Sequence, residues 1–288
     1  MRLLYKINII VSLLFLNFNF IEAQQTSSLL WRVSGNKIKN NTYIFGTFHL
    51  LCPNQFQIPD TINSLIQQVD TVYFEIKLND PSLFNNMLQQ MTMQNHQSLQ
   101  QFIAPTAYDS MNTIFLEKTK MNLNFFQYYK PILVTSFLYP SLMGCNPISL
   151  ETMLQNIAEK FKKPISGLET ADYQFKILDK IPYEQQAKML QTTLLHFNQS
   201  QNELKKMVEM YQRMNIDSLQ QSLKSEDNLL QYENDLVIQR NKNWLQILMN
   251  RMKNTACFVA VGAGHLGGAE GLINLLRRAG YTVTPILF

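Results

Sequence analysis

Two short segments end an apolar run with the same spacing, Gly46-Thr47-Phe48-His49 and Gly262-Ala263-Gly264-His265. A glycine at a strand end lets the backbone turn sharply, and a histidine three residues later can project from the carboxyl edge of a sheet, where α/β folds bind ligands. Imidazole is the commonest transition-metal ligand, so two histidines delivered from separate strands predict convergence on one metal ion. Either turn alone would as well cap a helix or fill a loop; their repetition, among only four histidines, gives the pair its weight. His96 and His196 lie in helical sequence without a motif and read as surface or internally satisfied histidines.

Glu75 sits in the otherwise apolar run Thr71-Val72-Tyr73-Phe74-Glu75-Ile76. An unpaired charge there would cost several kcal/mol, so a metal or a cation must compensate it, or a structural salt bridge must. Glu169, in Gly167-Leu168-Glu169-Thr170, is placed either as a second carboxylate or as the cap of the helix that follows. In Arg240-Asn241-Lys242-Asn243-Trp244, helical spacing puts Arg240, Asn243 and Trp244 on one face. A guanidinium there could clamp a substrate carboxylate or steady an oxyanion; the plainer alternative is a solvated face with Trp244 turned inward. The run from Gly262 to Gly267 also fits G-x-G-x-x-G, the dinucleotide fingerprint. A Rossmann unit would place an acidic residue about twenty positions on, and the strand Thr282 to Leu287 has none, so nucleotide binding is not expected.

The elements that must position these residues fall into three regions. Near the start, strand-like runs at Leu29 to Val33, Thr42 to Phe45 and Thr71 to Ile76 surround an amphipathic stretch, Ile58 to Val69, in a βαβ pattern. Residues 81 to 253 are mostly helical, with breaks at Pro105, Pro131, Pro140, Pro147 and Pro182, and with one short strand ending at Glu169 before a helix from Ala171 to Ile181. From Thr255 the chain returns to strand, glycine-rich turn, helix (Ala269 to Ala279) and strand (Thr282 to Leu287). The prediction is one α/β domain over 24–288. Its mixed central sheet is built from the N- and C-terminal βα units, around a large helical middle.

The chain has 288 residues, 46% of them apolar and 16% charged, which excludes a disulfide mini-scaffold and a disordered chain. Its charge of +4 comes from scattered side chains without an arginine stripe, so nucleic acid is not expected as a partner. Arg2 and Lys6 precede an apolar run from Ile7 to Phe20, and Ile21-Glu22-Ala23 ends in a small residue, the pattern of a secretory signal peptide over residues 1–23. An uncleaved anchor is the alternative, although the run is shorter than the roughly twenty residues that span a bilayer. No later stretch is long and apolar enough to cross a membrane. An exported chain permits disulfides, and Cys52 and Cys145, beside Pro53 and Gly144, read as a bridged pair, with Cys257 a buried strand thiol; three free thiols are the alternative.

At these residues the sequence resembles the TraB/GumN family, which includes the Tiki proteases. The matching segments are Tyr43 to Leu50, Val72 to Ile76 running on to Asp80-Pro81, Gly167 to Thr170, Arg240-Asn241, and Phe258 to Val283. The resemblance implies fold similarity to erythromycin esterases and, for the Tiki branch, divalent-metal-dependent peptide hydrolysis using two histidines and the glutamate. Carried onto this chain, His49, Glu75 and His265 would bind the ion (manganese, cobalt or zinc). Glu75 would complete the ligand set or act as base, and Arg240 would stabilise the oxyanion or orient substrate, with Glu169 as a further catalytic carboxylate. Gly46, Gly262 and Asn243 would border a peptide or protein substrate. Tiki proteins carry an acid two positions after the strand glutamate, where this chain has Lys77, on the face of Glu75 if the run stays extended. The expectation is thus an exported metal-dependent hydrolase, most simply a peptidase. A silent peptide-, metal- or haem-binding protein and a small-molecule esterase are the alternatives.

Overall fold

The computed structural model describes residues 27–77, 79–80, 90–225 and 230–288. The signal-peptide segment and Pro81 of the Asp80-Pro81 match lie outside them. Six strands form one sheet: β1 (Leu30–Gly35), β2 (Thr42–Thr47), β3 (Thr71–Phe74), β4 (Ile165–Gly167), β5 (Cys257–Gly262) and β6 (Tyr281–Ile286). Their order is β4-β3-β5-β2-β1-β6. The first four neighbours run parallel, and β1 pairs antiparallel with both β2 and β6. This is the α/β arrangement with a mixed sheet, and the two chain ends are joined in it by direct pairing of β2 with β5.

Burial explains the strand sequences. β5, Cys-Phe-Val-Ala-Val-Gly, is buried from Cys257 to Val261, as a central parallel strand covered on both faces must be. β1 keeps Leu30, Trp31 and Val33 inside and Arg32 outside. Helix α1 (Asp60–Gln68) buries Ile62, Leu65 and Ile66, one stripe at helical spacing, and leads into β3. The remaining longer helices are α2 (Pro105–Thr119), α3 (Leu150–Lys160), α4 (Ala171–Leu178), α5 (Tyr183–Leu195), α6 (Phe197–Gln212), α7 (Ile216–Ser225), α8 (Gln239–Arg251) and α9 (Leu272–Arg278). Several of the prolines read as breaks are helix starts: Pro105 and Pro131 open helices, and Pro182 caps α5.

Among the described residues the apolar interior has two clusters. The larger lies on the sheet and includes Trp31, Phe45, Phe74, Trp244 and Phe258. The smaller, with Met111, Phe115, Leu138, Ala187 and Leu190, packs the helical middle of the chain. Among the described residues no helix is long and apolar enough to cross a membrane.

Two local features bear on the sheet edge. Cys52 and Cys145 are bridged, and next to them Leu51 pairs with Ile148, which ties the loop after β2 to the start of α3; Cys257 is free and buried. In addition, β3 stops at Phe74, short of the expected Ile76. The chain bends through Glu75 and Ile76, where the Glu75 carbonyl accepts from Glu169 N–H at 2.9 Å. Lys77 therefore does not share a strand face with Glu75: it is exposed beyond the bend, and Glu75 pairs with Arg240 and His265 instead.

Candidate functional site

The four parallel strands deliver their carboxyl ends side by side, and each is followed within three residues by a titratable side chain. These are His49 after β2, Glu75 after β3, Glu169 after β4 and His265 after β5. Gly46 is required by close packing: a Cβ there would stand 2.8 Å from Leu266 Cδ1 and 3.1 Å from Ala263. At Gly262 a Cβ would stand 3.3 Å from Glu75 Oε1, and the Gly262 N–H donates to that oxygen at 2.8 Å. Both glycines thus serve the approach of backbone to neighbours within the fold.

Arg240, in the first turn of α8, organises the centre. A π-helical turn, Asn234–Ile238, precedes α8, an irregularity common at functional sites. Nε donates to Glu169 Oε1 at 3.0 Å, and Nη2 donates to Glu169 Oε1 at 2.7 Å and Glu75 Oε2 at 2.6 Å. Nη1 donates to the Leu236 carbonyl at 3.0 Å and meets His265 Nε2 at 3.1 Å. All five guanidinium N–H groups are engaged within the protein, which leaves none for the oxyanion or substrate carboxylate expected from the sequence. Gln174 Nε2 bridges the same two carboxylates, at 3.1 Å from Glu75 Oε2 and 2.9 Å from Glu169 Oε1, and Trp244 Nε1 donates to Glu169 Oε2 at 2.9 Å. Glu169 is an ion-pair partner and not the helix cap; Thr170 caps α4, its hydroxyl accepting from Tyr173 N–H.

His265 lies behind Arg240, 8% exposed and packed on the Trp244 ring at 4.5 Å. Asn241 fixes its tautomer. The amide nitrogen of Asn241 donates to the His265 and Glu270 carbonyls, so its Oδ1 accepts from His265 Nδ1–H at 2.8 Å, and the Nε2 lone pair faces Arg240. Burial pushes the His265 pKa down to about 3, so the ring stays neutral. Burial works against ionisation of Glu75, but the neighbouring Arg240 guanidinium, His49 and the Gly262 N–H hold its pKa well below the usual carboxylate range. Because His265 is neutral, Arg240 is the charge that counts.

His49 faces the other way. Its Nδ1 lies 3.0 Å from Glu151 Oε1, and the side chain is 75% exposed. Glu151, in the first turn of α3, is held by Thr47 Oγ1 at 2.6 Å and by the α3 cap residue Ser149 at 3.0 Å. The hydrogen bond to Glu151 lifts the His49 pKa to about 9. At this exposure solvent screens the pair, and its contribution is orientation of the ring more than stability. A cleft of about 410 Å³ lies along this edge, with His49 and Glu151 contributing to its lining together with Glu75, Arg240 and Gln174.

The predicted metal ligands do not fit a divalent ion in this arrangement. His265 Nε2 and Glu75 Oε1 are 4.0 Å apart, wider than two bonds of about 2.1 Å at a tetrahedral angle allow, and Arg240, a like charge, occupies the His265 Nε2 lone pair and Glu75 Oε2. Among the described residues no three His, Cys, Asp or Glu side chains group closely enough to share an ion. Asn243 is likewise displaced: it is exposed and donates to the Tyr173 hydroxyl, while the buried stripe of α8 is Arg240, Asn241, Trp244 and Leu248. Sequence reasoning missed Glu151, Gln174 and Asn241. Only Asn241 had a signal, its place beside Arg240 in a matching dipeptide.

The model of the TraB/PrgY/gumN family matches residues 29–285. Two curated relatives, both from Danio rerio, are Metalloprotease TIKI2, 20% identical over 91% of this chain and 62% of its own length, and Metalloprotease TIKI1, 22% identical over 89% and 63%. The chain thus spans less than two thirds of the length of these relatives. No solved structure matches it.

Proposed function

Because this chain belongs to the TraB/PrgY/gumN family, we propose that it is an exported hydrolase acting on peptide or protein substrates in the cleft at the carboxyl edge of its sheet. The observation that carries the reading is that one cleft is lined both by His49, oriented by Glu151, and by Glu75, held by Arg240 and Gln174. Glu75 Oε1 has a lone pair beyond the one facing Gly262 N–H and would accept the proton of an attacking water. His49 would donate from Nε2 to the leaving nitrogen, its Nδ1 fixed on Glu151. Arg240, Glu169 and His265 act behind them: the guanidinium holds Glu75 ionised and in place, and His265 with Asn241 holds the guanidinium. The names of the two relatives support the hydrolytic class. The Cys52–Cys145 bridge fits an oxidising compartment, and residues 24–288 would form a single domain after removal of residues 1–23.

A metal-dependent mechanism is the second reading, favoured by the word metalloprotease in both relatives' names. It requires Arg240 to withdraw from Glu75 and His265. The test is cleavage of a peptide library by the mature protein, stripped of metal and then supplied with manganese, cobalt or zinc, beside His49→Ala and His265→Ala. Cleavage that survives chelation and is abolished by His49→Ala is the expected result. Absence of cleavage under every condition overturns the hydrolase, and strict dependence on one metal installs the second reading.

A further inference from the structure

The cleft has an apolar side that the chemistry above does not use. Ile177 and Leu178 of α4, Leu236 of the π-helical turn, Phe74 at the end of β3, Ile76 in the bend after it, and Leu50 after β2 all line it. Phe74 and Ile177 are buried, but Leu50, Ile76, Leu178 and Leu236 remain partly exposed, so the cleft presents apolar surface that the described residues leave partly uncovered. The polar lining is occupied with itself. Glu75 is matched by Arg240, Gln174 and Gly262 N–H, and Glu151 by His49, Thr47 and Ser149. Glu169, behind Arg240, adds a second carboxylate against the one guanidinium. A charged substrate group would lose its hydration here; an acidic one would meet the excess negative charge, and a basic one would find that excess on Glu169, buried behind Arg240. An apolar group would bury the waiting surface at a gain proportional to its area. The volume of about 410 Å³ is at the small end of ligand pockets, the scale of a side chain with its flanking backbone and not of a folded partner.

We infer that this cleft receives a large aliphatic or aromatic side chain of a peptide, seated on Leu178 and Leu236 so that the adjoining peptide bond lies between Glu75 and His49. The inference rests on the hydrolase reading for the identity of the occupant as a peptide, and on the lining for its side chain.

The test is fluorescence anisotropy with dye-labelled short peptides identical except for a central Leu, Phe, Gly, Lys or Asp, bound to the intact chain and to two variants. Leu and Phe peptides are expected to bind at least about tenfold more tightly than Lys or Asp peptides, the discrimination typical of an apolar pocket. Leu178→Asp is expected to remove that preference, with its thermal midpoint measured alongside. Thr152→Val adds apolar surface at an exposed lining position and is expected to strengthen Leu and Phe binding severalfold, which keeps the test decisive if Leu178→Asp fails to fold. Equal affinity across the series, no binding of any peptide, or a preference that Thr152→Val leaves unchanged overturns the inference. Assaying cleavage of the same peptides separates the two claims. Selective binding without cleavage removes the hydrolase and keeps the pocket; cleavage without side-chain preference does the reverse.

Discussion

Replacing Arg240 by Met preserves the aliphatic volume of the side chain and removes the charge that two carboxylates share. Glu75 and Glu169 are 12% and 5% exposed, so both would be left as buried anions with only Gln174, Trp244 and Gly262 N–H as donors. Removing one partner of a buried pair costs about 3–5 kcal/mol. Since two carboxylates lose the same cation, the expected loss is at the top of that range, about 5 kcal/mol. For a chain of this length each kcal/mol shifts the midpoint by about 2–4 °C, so Tm is expected to fall by about 10–20 °C. The assay is thermal unfolding followed by circular dichroism, with urea titration as a check. Adding Glu75→Gln and Glu169→Gln to Arg240→Met removes the stranded charges and is expected to restore much of the loss. The pH dependence supplies a second sign. In the wild type the pKa of Glu75, held at about 2, contributes stability that is present above its unfolded value near 4.5 and is lost as pH falls through that value toward 2. Without Arg240 one of the groups that lower it is gone, so the pKa of Glu75 rises from about 2 and the Arg240→Met variant loses less stability than wild type as pH falls below 4.5. A Tm for Arg240→Met within about 3 °C of wild type, or a triple variant no more stable than the single one, would refute the placement of Arg240 as the organising cation.

Glu151→Gln is expected to lower kcat about a hundredfold or more, with little change in KM, because the ring of His49 loses the anion that fixes it; steady-state kinetics on a cleaved peptide, with Glu151→Asp as the conservative control, measures this. The Cys257 thiol is fully buried and its pKa is pushed up to about 11 by burial, so it should resist alkylation in the folded chain at pH 8 and react only after denaturation, as mass spectrometry would record. Because that pKa is raised from 9, its contribution to stability is present below pH 9 and lost between 9 and 11, a window in which Cys257→Ala is expected to unfold less steeply with pH than wild type. Paired Cys52→Ser and Cys145→Ser substitutions open a loop with sequence separation 93 and are expected to cost about 4–5 kcal/mol by the chain-entropy argument, read from the urea midpoint.

The sequence determined which elements would form and which chemical residues they would carry to one edge. Apolar runs of strand length, a helical middle and two glycine turns sufficed, because local periodicity and the sterics of glycine act over a few residues. The extent of the run around Glu75 was misread, since a bend and a strand residue have the same local composition there, and only the hydrogen bond from Glu169 N–H shows where β3 ends. Spacing also paired Arg240 with Asn243, whereas burial selected Asn241; which side of α8 faces inward depends on the sheet beneath it. The larger decision belonged to tertiary structure alone. Two histidines and a glutamate in a sequence read as metal ligands, since spacing reveals which donors can converge but not what stands between them. In the fold that place is held by Arg240, arriving from 165 residues beyond Glu75, with all five of its N–H groups engaged. His49 meanwhile turns to Glu151, 102 residues on, across the loop fixed by the disulfide. Charge compensation between residues so distant along the chain is a property of their placement in space, and no local pattern encodes it.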